Sequence, residues 1–378
     1  MKTWNSIAND ALVAWLHLQY PEADSLRLQA YESLDIGHSA EMFALRLVAD
    51  VHGREEIKDI VVRLRPREPG LLEPYDLQRQ FNVLRALEPT EVRAPKALWI
   101  EPTGAILGRP FFVMERLPGE VFESRPIPRE WDSEPGRLRR MCENMVDQFA
   151  AVHLVDLVDT GLESIGNGST FLDRELEHWE GEMRRIQRGP LPAMERMLLE
   201  LRRQQPSPCT TVTLVHGDPK PGNVAFIEED VSAIFDWELV DVGDPRADVG
   251  YLEVMWQMPV GVTSRPSSLD VCGFVARYEE RTGINLEHRS WYRAMQIFKL
   301  DVIQLIASMH FDDGHSDDLR ALQMAGGIKL MTPIGLRDLG VTEALEFGHI
   351  YPRRERIEQV RKVISASDIS RSEGEQIQ

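Results

Sequence analysis

The stretch from Leu214 to Asp248 constrains this chain more than any other. It holds His216-Gly217-Asp218, with Asn223 five residues after Asp218. Asp236-Trp237-Glu238 follows behind the apolar run Ala233-Ile-Phe235, and then come Gly243-Asp244-Pro245 and Asp248. The surrounding pattern is helical, yet Thr211–Val215, Val224–Phe226 and Ala233–Phe235 read as short β segments. A loop and a hairpin in that order can aim the side chains of Asp218, Asn223 and Asp236 at one point. The fold must therefore set a small β insertion inside a helical body.

The remainder of the chain supplies a different first third. A short helix over Asn9–Leu18, with Leu12, Trp15 and Leu16 on one face, precedes strands at Leu26–Leu34, Met42–Val48 and Ile57–Arg65. His52-Gly53 reads as the turn of a hairpin between the last two. In the third strand, period-2 alternation puts Ile60, Val62 and Leu64 on one face and Val61, Arg63 and Arg65 on the other. A helix over Leu71–Leu87 and strands at Ala97–Ile100 and Pro110–Glu115 follow. Leu117-Pro118-Gly119 then punctuates the chain as a candidate hinge. Helices are expected over Arg137–Val155, Phe171–Arg188 and Ala193–Gln204, and again from Asp248 to about Met331. The class is α+β, with no alternating βαβ pattern for a parallel sheet. The expected division is a β-rich, nucleotide-clasping N-terminal lobe over 1–116, a helical lobe over 117–352 and a charged tail, frayed or disordered, over 353–378.

The residue types between 214 and 248 suit one chemistry. Phosphoryl transfer from ATP proceeds mainly by positioning and charge neutralisation. It needs a carboxylate toward the acceptor, oxygen ligands for Mg²⁺ and cations on the phosphates. An Asp in a loop, an Asn five residues on and an Asp on a following strand reproduce the order and spacing that kinases use.

On these residues the chain resembles the aminoglycoside phosphotransferase family, also called the phosphotransferase enzyme family, which shares the protein-kinase-like fold. The likeness rests on Leu-Val-His-Gly-Asp-x-x-x-x-Asn, then Phe-Asp-Trp-Glu, then Gly-Asp-Pro-x-x-Asp, and covers roughly residues 25 to 335. Phe171–Trp179 and Gly108–Gly119 resemble one branch, the kinase-like domains of acyl-CoA dehydrogenase family members ten and eleven. The resemblance implies a bilobed fold, with ATP and Mg²⁺ as cofactors and a small hydroxylated molecule as acceptor. It implies Asp218 as catalytic base, Lys220 near the transferred phosphate, and Asn223 and Asp236 as magnesium ligands. His216 and Asp248 would brace the loop, and Met114, Glu115 and Leu117 would meet adenine.

Two departures stand out. The strand position that carries Lys in kinases shows Arg63, with Arg65 as a competing choice, and arginine can clasp phosphate bidentately. The helix position that carries its Glu partner shows Gln80, with Glu73 as a conceivable substitute. A nucleotide-binding pseudokinase acting as scaffold or sensor is the alternative that Gln80 motivates. Ile36–Glu41 fits the place of a nucleotide-positioning loop, with Gly37, His38 and Ser39 as its contacts. The same segment nearly spells a G-x-S-x-G elbow, but Glu41 stands in the fifth position. His310–Asp318 lacks calcium-loop spacing and reads as a solvated loop. Trp179, Trp256 and Trp291 read as core. The resemblance implies as acceptor a metabolite such as a hydroxyacyl-CoA, for which Arg184, Arg185 and Arg188 are loose candidates, or an aminoglycoside-like antibiotic.

A net charge of −18 over 378 residues disfavours nucleic acid or anionic membrane as a partner. Three widely spaced cysteines (Cys142, Cys209, Cys272) make no C-x-x-C and suggest incidental thiols. The N-terminal segment lacks a signal-peptide core and no apolar run is long enough to span a membrane, so a cytoplasmic monomer or homodimer is expected.

Overall fold

The computed structural model describes residues 6–34, 41–123, 127–134, 136–207, 210–259 and 261–363. Its contacts group the chain into two compact units, one of Met1–Ser169 with Cys209–Leu286 and one of Thr170–Pro208 with Glu287–Gln378. The sequence-based boundary at 116/117 falls inside the first unit.

The first unit opens with helix α1 (Ser6–Gln19) and strands β1 (Ser25–Leu34), β2 (Glu41–Val51) and β3 (Arg54–Leu64). Between β2 and β3, His52 (φ 53°) and Gly53 (φ 76°) are both left-handed. That is the backbone a two-residue hairpin needs to match strand twist, and the pair reads as a turn for this reason. Helix α2 (Leu77–Leu87) and strands β4 (Ala97–Glu101) and β5 (Phe111–Glu115) complete an antiparallel sheet in the order β1-β2-β3-β5-β4. The alternation in β3 sorts its side chains as expected. Ile60, Val62 and Leu64 pack with Leu12, Trp15 and Leu16 of α1, while Val61 joins Val83, Leu84 and Leu87 of α2 on the opposite face. Each of these large side chains contributes roughly 1.5–3 kcal/mol of burial, an upper bound because the unfolded chain is itself partly collapsed.

The helix expected from Leu71 begins six residues later. Pro74 disfavours helical backbone at Glu73, Leu72 donates its N–H to Tyr75 Oη (3.0 Å), and Asp76 caps α2 by accepting from Arg79 N at 2.9 Å. Such a cap is worth about 1 kcal/mol.

Strand β6 (Glu120–Val121) pairs with β8 (Val224–Ile227), which pairs with β9 (Asp230–Ile234). Strand β7 (Thr213–Val215) pairs with β10 (Asp241–Gly243). Helix α3 (Arg137–His153) buries Met141, Met145, Val146 and Phe149 beside these ribbons. The unit closes with α6 (Pro245–Trp256) and α7 (Val271–Thr282), where Trp256 stacks on Phe274 at 4.7 Å.

The second unit is helical: α4 (Phe171–Ile186), α5 (Pro192–Arg203), α8 (Arg289–Asp312), α9 (Arg320–Asp338) and a last segment over 354–363. Trp179 and Trp291 are buried as core, and Val360 of the expected tail packs on Phe311 and Ala321. The 310–318 stretch is not a solvated loop throughout. Asp312 is buried and accepts from Arg353 Nε, while Asp313 pairs with Arg188 and Asp317 with Arg356. Among the described residues no helix is long and apolar enough to cross a membrane, and no group of three or more His, Cys, Asp or Glu could hold a metal ion.

Asp301 of α8 is fully buried with Thr332 Oγ1 of α9 2.6 Å from its Oδ2. The Thr332 hydroxyl also lies 2.7 Å from Ile328 O, a group that can only accept. One hydroxyl proton is divided between the two oxygens, so Thr332 is a weak donor to a carboxyl that is otherwise buried. Burial pushes the Asp301 carboxyl well above the usual carboxylate range, against the opposing bond from Thr332. A raised carboxyl contributes stability that is complete below its unfolded value and is lost as pH rises. Asp301→Asn is therefore expected to unfold at the same or higher urea concentration than wild type at pH 8, with the difference shrinking or reversing toward pH 4.

Candidate active site

All of the site lies in the first unit. Gly243-Asp244-Pro245 starts α6: Asp244 accepts from Arg246 N (3.0 Å), and Pro245 takes the first turn, where its missing N–H costs nothing. That start places Asp248 in the first turn of the helix. Asp248 Oδ2 accepts from His216 N (2.6 Å) and lies 3.1 Å from His153 Nε2, while its Oδ1 accepts from Gly217 N at 3.0 Å. Burial works to raise the Asp248 carboxyl, but His153 and His216 outweigh it and hold it below the usual range.

His216 passes this brace forward. Its Nε2 donates to Phe235 O (2.8 Å), and its Nδ1 accepts from Asp218 N at 3.2 Å. Those partners require the neutral ring with the proton on Nε2. Burial likewise lowers the pKa of His216, against the nearby carboxylates of Asp248 and Asp218. Gly217 has φ +84°, and a Cβ there would come 2.2 Å from Leu239 O. Gly217→Ala is expected to cost more than the roughly 1–2 kcal/mol of a left-handed backbone alone, because Leu239 must move too. Thermal unfolding and activity of that variant check it.

The side chains of Asp218, Lys220 and Asn223 converge. Asn223 Nδ2 donates to Asp218 O and to Asp218 Oδ2, both at 2.9 Å, which leaves the amide oxygen oriented away from that carboxylate. Lys220 Nζ stands 3.3 Å from Asp218 Oδ2. Burial pushes the Asp218 carboxyl up, but Lys220, Tyr251, His216 and Asn223 together hold it below its usual value. Asp218 in turn holds the Lys220 ammonium above the lysine range, against burial, with Glu123 adding to the effect. Phe235 N donates to Asn223 O (2.8 Å), fixing the loop beside Asp236, which sits in left-handed backbone at φ +66° ahead of a 3₁₀ turn over Trp237–Leu239. Asp tolerates that conformation better than most side chains.

Arg63, and not Arg65, faces this loop. Its Nη2 donates to Asp236 Oδ1 (3.1 Å) and to Glu238 Oε2 (2.9 Å), and its Nη1 lies 3.9 Å from Met42 Sδ. Burial favours loss of its proton, but the two carboxylates reverse that. Arg65 pairs instead with Glu68 and Glu73, so Glu73 is not the substitute partner of Arg63. Gln80 is buried in α2. The neighbouring Arg79 ties that helix to the segment after Trp237–Leu239, donating to Val240 O (2.7 Å) and Asp241 Oδ1 (2.8 Å).

Met114 and Glu115 end β5. The N–H of Glu115 is taken by Lys96 O and that of Arg116 by Asp59 O, both at 2.9 Å, so Leu117 is the first N–H beyond these ladder bonds. Gly37, His38 and Ser39 lie outside the described residues, as does Cys209. Arg184, Arg185 and Arg188 pair with Glu180, Glu182 and Asp313, which neutralises them as ready anion contacts.

Three site residues escape sequence reasoning. Tyr251 hydrogen-bonds the Asp218 carboxylate, and its place three residues after Asp248 on α6 was a usable signal. Glu123 and His153 reach the loop from distant parts of the chain and carry no local pattern.

Residues 37–293 match the Phosphotransferase enzyme family. Acyl-CoA dehydrogenase family member 10 of Mus musculus is 32% identical over 231 residues, which is 60% of this chain but only 20% of that relative's length. The crystal structure of a candidate aminoglycoside phosphotransferase from Ralstonia eutropha is 25% identical, with TM-score 0.68 over 88% of this chain and 98% of that one. A thermostable mutant of aminoglycoside phosphotransferase APH(4)-Ia, solved with ADP and hygromycin B, is 16% identical with TM-score 0.53, covering 86% of this chain and 99% of that one. At that identity the likeness shows the protein-kinase-like α+β fold. Family and neighbours together support a small-molecule phosphotransferase. The matched span contains the whole braced loop, and the chain belongs to the phosphotransferase enzyme family.

Proposed function

We propose that this protein transfers the γ-phosphate of ATP, with Mg²⁺, to a hydroxyl of a small molecule. The observation that carries this is the convergence of Asp218, Asn223 and Asp236 on two loops fastened by the Phe235 N–H and by the Asp248–His216 brace. Asp218, kept ionised by its cationic and hydrogen-bonding neighbours, accepts the proton of the acceptor hydroxyl. Lys220 stands beside it as a cation for the transferred phosphoryl group. Arg63 clasps the phosphates, and Met114, Glu115 and Leu117 form the adenine edge.

The residues fit magnesium. Asn223 offers an amide oxygen whose NH₂ is pinned elsewhere, and Asp236 has a side chain that is 22% exposed. Magnesium takes one or two such protein oxygens and completes its shell with water and phosphate. When bound it neutralises phosphate charge. The ADP carried by the APH(4)-Ia neighbour supports a nucleotide as a ligand of this fold.

The name of the mouse relative supports a thioester metabolite, a hydroxyacyl-CoA, over an antibiotic as acceptor. The test is ADP release with Mg-ATP across hydroxyacyl-CoAs, aminoglycosides, sugars and choline-like alcohols. Release with the thioesters is expected; release with another class alone moves the acceptor assignment. ADP release that never exceeds the acceptor-free rate, in a protein that still binds nucleotide, would leave the pseudokinase alternative standing.

A further inference from the structure

We infer that Glu238 replaces the missing helix glutamate as the residue that positions Arg63 for the nucleotide phosphates. This rests on the proposed nucleotide site and assigns to that site a positioning residue on the metal loop. In the kinase arrangement the phosphate-binding cation of the strand is oriented by a carboxylate on the neighbouring helix. Here that helix offers Gln80, and among the described residues the hydrogen bonds of Arg63 go to Met42, Asp236 and Glu238. Helix α2 keeps its link to the loop through Arg79, a structural tie to Val240 and Asp241 that leaves Arg63 to other partners.

The two carboxylates are not equivalent. The side chain of Glu238 is 5% exposed and that of Arg63 is 7% exposed, whereas that of Asp236 is 22% exposed. A buried guanidinium requires a counter-charge in every state of the protein. Asp236, the more open group and the proposed metal ligand, is the partner that can turn toward a bound cation. Glu238 is the partner that remains. Its 2.9 Å bond to Nη2 holds that end of the planar group, so the guanidinium is already oriented when phosphate arrives. The carboxylate has thus moved from the helix to the position two residues after the metal-loop Asp, where the 3₁₀ turn of Trp237–Leu239 delivers it.

The test is a double-mutant cycle on ADP binding in EDTA, measured by calorimetry on folded protein, with thermal unfolding as the control for integrity. Glu238→Gln is expected to weaken metal-free ADP binding about tenfold, and to change it no more than about twofold when Arg63 is already Met, because coupled residues give non-additive effects. A loss by Glu238→Gln that appears only when Mg²⁺ is added identifies Glu238 as a metal ligand and overturns the inference. So does a loss that is undiminished in the Arg63→Met background, or unchanged or tighter binding in EDTA. If Glu238→Gln fails to fold, Glu238→Asp, which keeps the charge on a shorter arm, is carried through the same cycle with the same expected coupling. Wild-type protein that binds no ADP in any buffer instead overturns the nucleotide site itself, a distinguishable failure.

Discussion

Replacing Asp218 by Asn is expected to lower turnover by about two to four orders of magnitude, the usual worth of a positioned proton acceptor. Nucleotide affinity should stay level or tighten slightly, since one negative charge leaves the phosphate side. The isosteric amide keeps the shape of the site. Its loss of charge removes the partner of Lys220, whose side chain is 27% exposed and can turn to water, so stability should change little. The pH profile of wild type is a second check. Lys220, Tyr251, His216 and Asn223 hold the Asp218 carboxyl below its usual value, against burial. Asp218 is thus ionised across the neutral range, and no acid limb from this group is expected above about pH 5. Turnover of the Asn variant within tenfold of wild type would remove Asp218 from the proton transfer.

Asp248→Ala is expected to cost about 3–5 kcal/mol, because it strips the shared acceptor from a fully buried cluster. Three donors lose their partner at once: His216 N, Gly217 N and His153 Nε2. For a unit of this size the melting temperature should fall on the order of 10 °C. Activity should fall with it even well below the melting point, since His216 Nδ1 supports the backbone of Asp218 itself. Calorimetry and turnover at a common low temperature separate the two effects. A melting temperature within about 2 °C of wild type would mean that water replaces the carboxylate and that the brace is dispensable.

Much of this fold was legible because its elements are locally encoded. The alternation of β3 assigned Ile60, Val62 and Leu64 to one side of the sheet, and the left-handed pair His52-Gly53 closed the hairpin. The helix expected from Asp248 starts three residues earlier, at Pro245, because Asp244 caps it. The helix expected from Leu71 failed because apolar periodicity continued through Leu71 and Leu72 while Pro74 and the Asp76 cap set the real boundary. The expected solvated loop at 310–318 failed for another reason: its acidic residues meet Arg188, Arg353 and Arg356, which lie far along the chain.

By itself the sequence determined the order of elements and the spacing of Asp218, Asn223 and Asp236. These follow from periodicity, capping and backbone sterics, which act over a few residues. Only the tertiary structure decided who partners whom: Arg63 with Glu238, Arg65 with Glu73, Asp218 with Tyr251, Asp248 with His153. A buried charge must find its counter-charge wherever the fold brings one within about 3 Å. Most of those partners lie many tens of residues away, where no local pattern reaches.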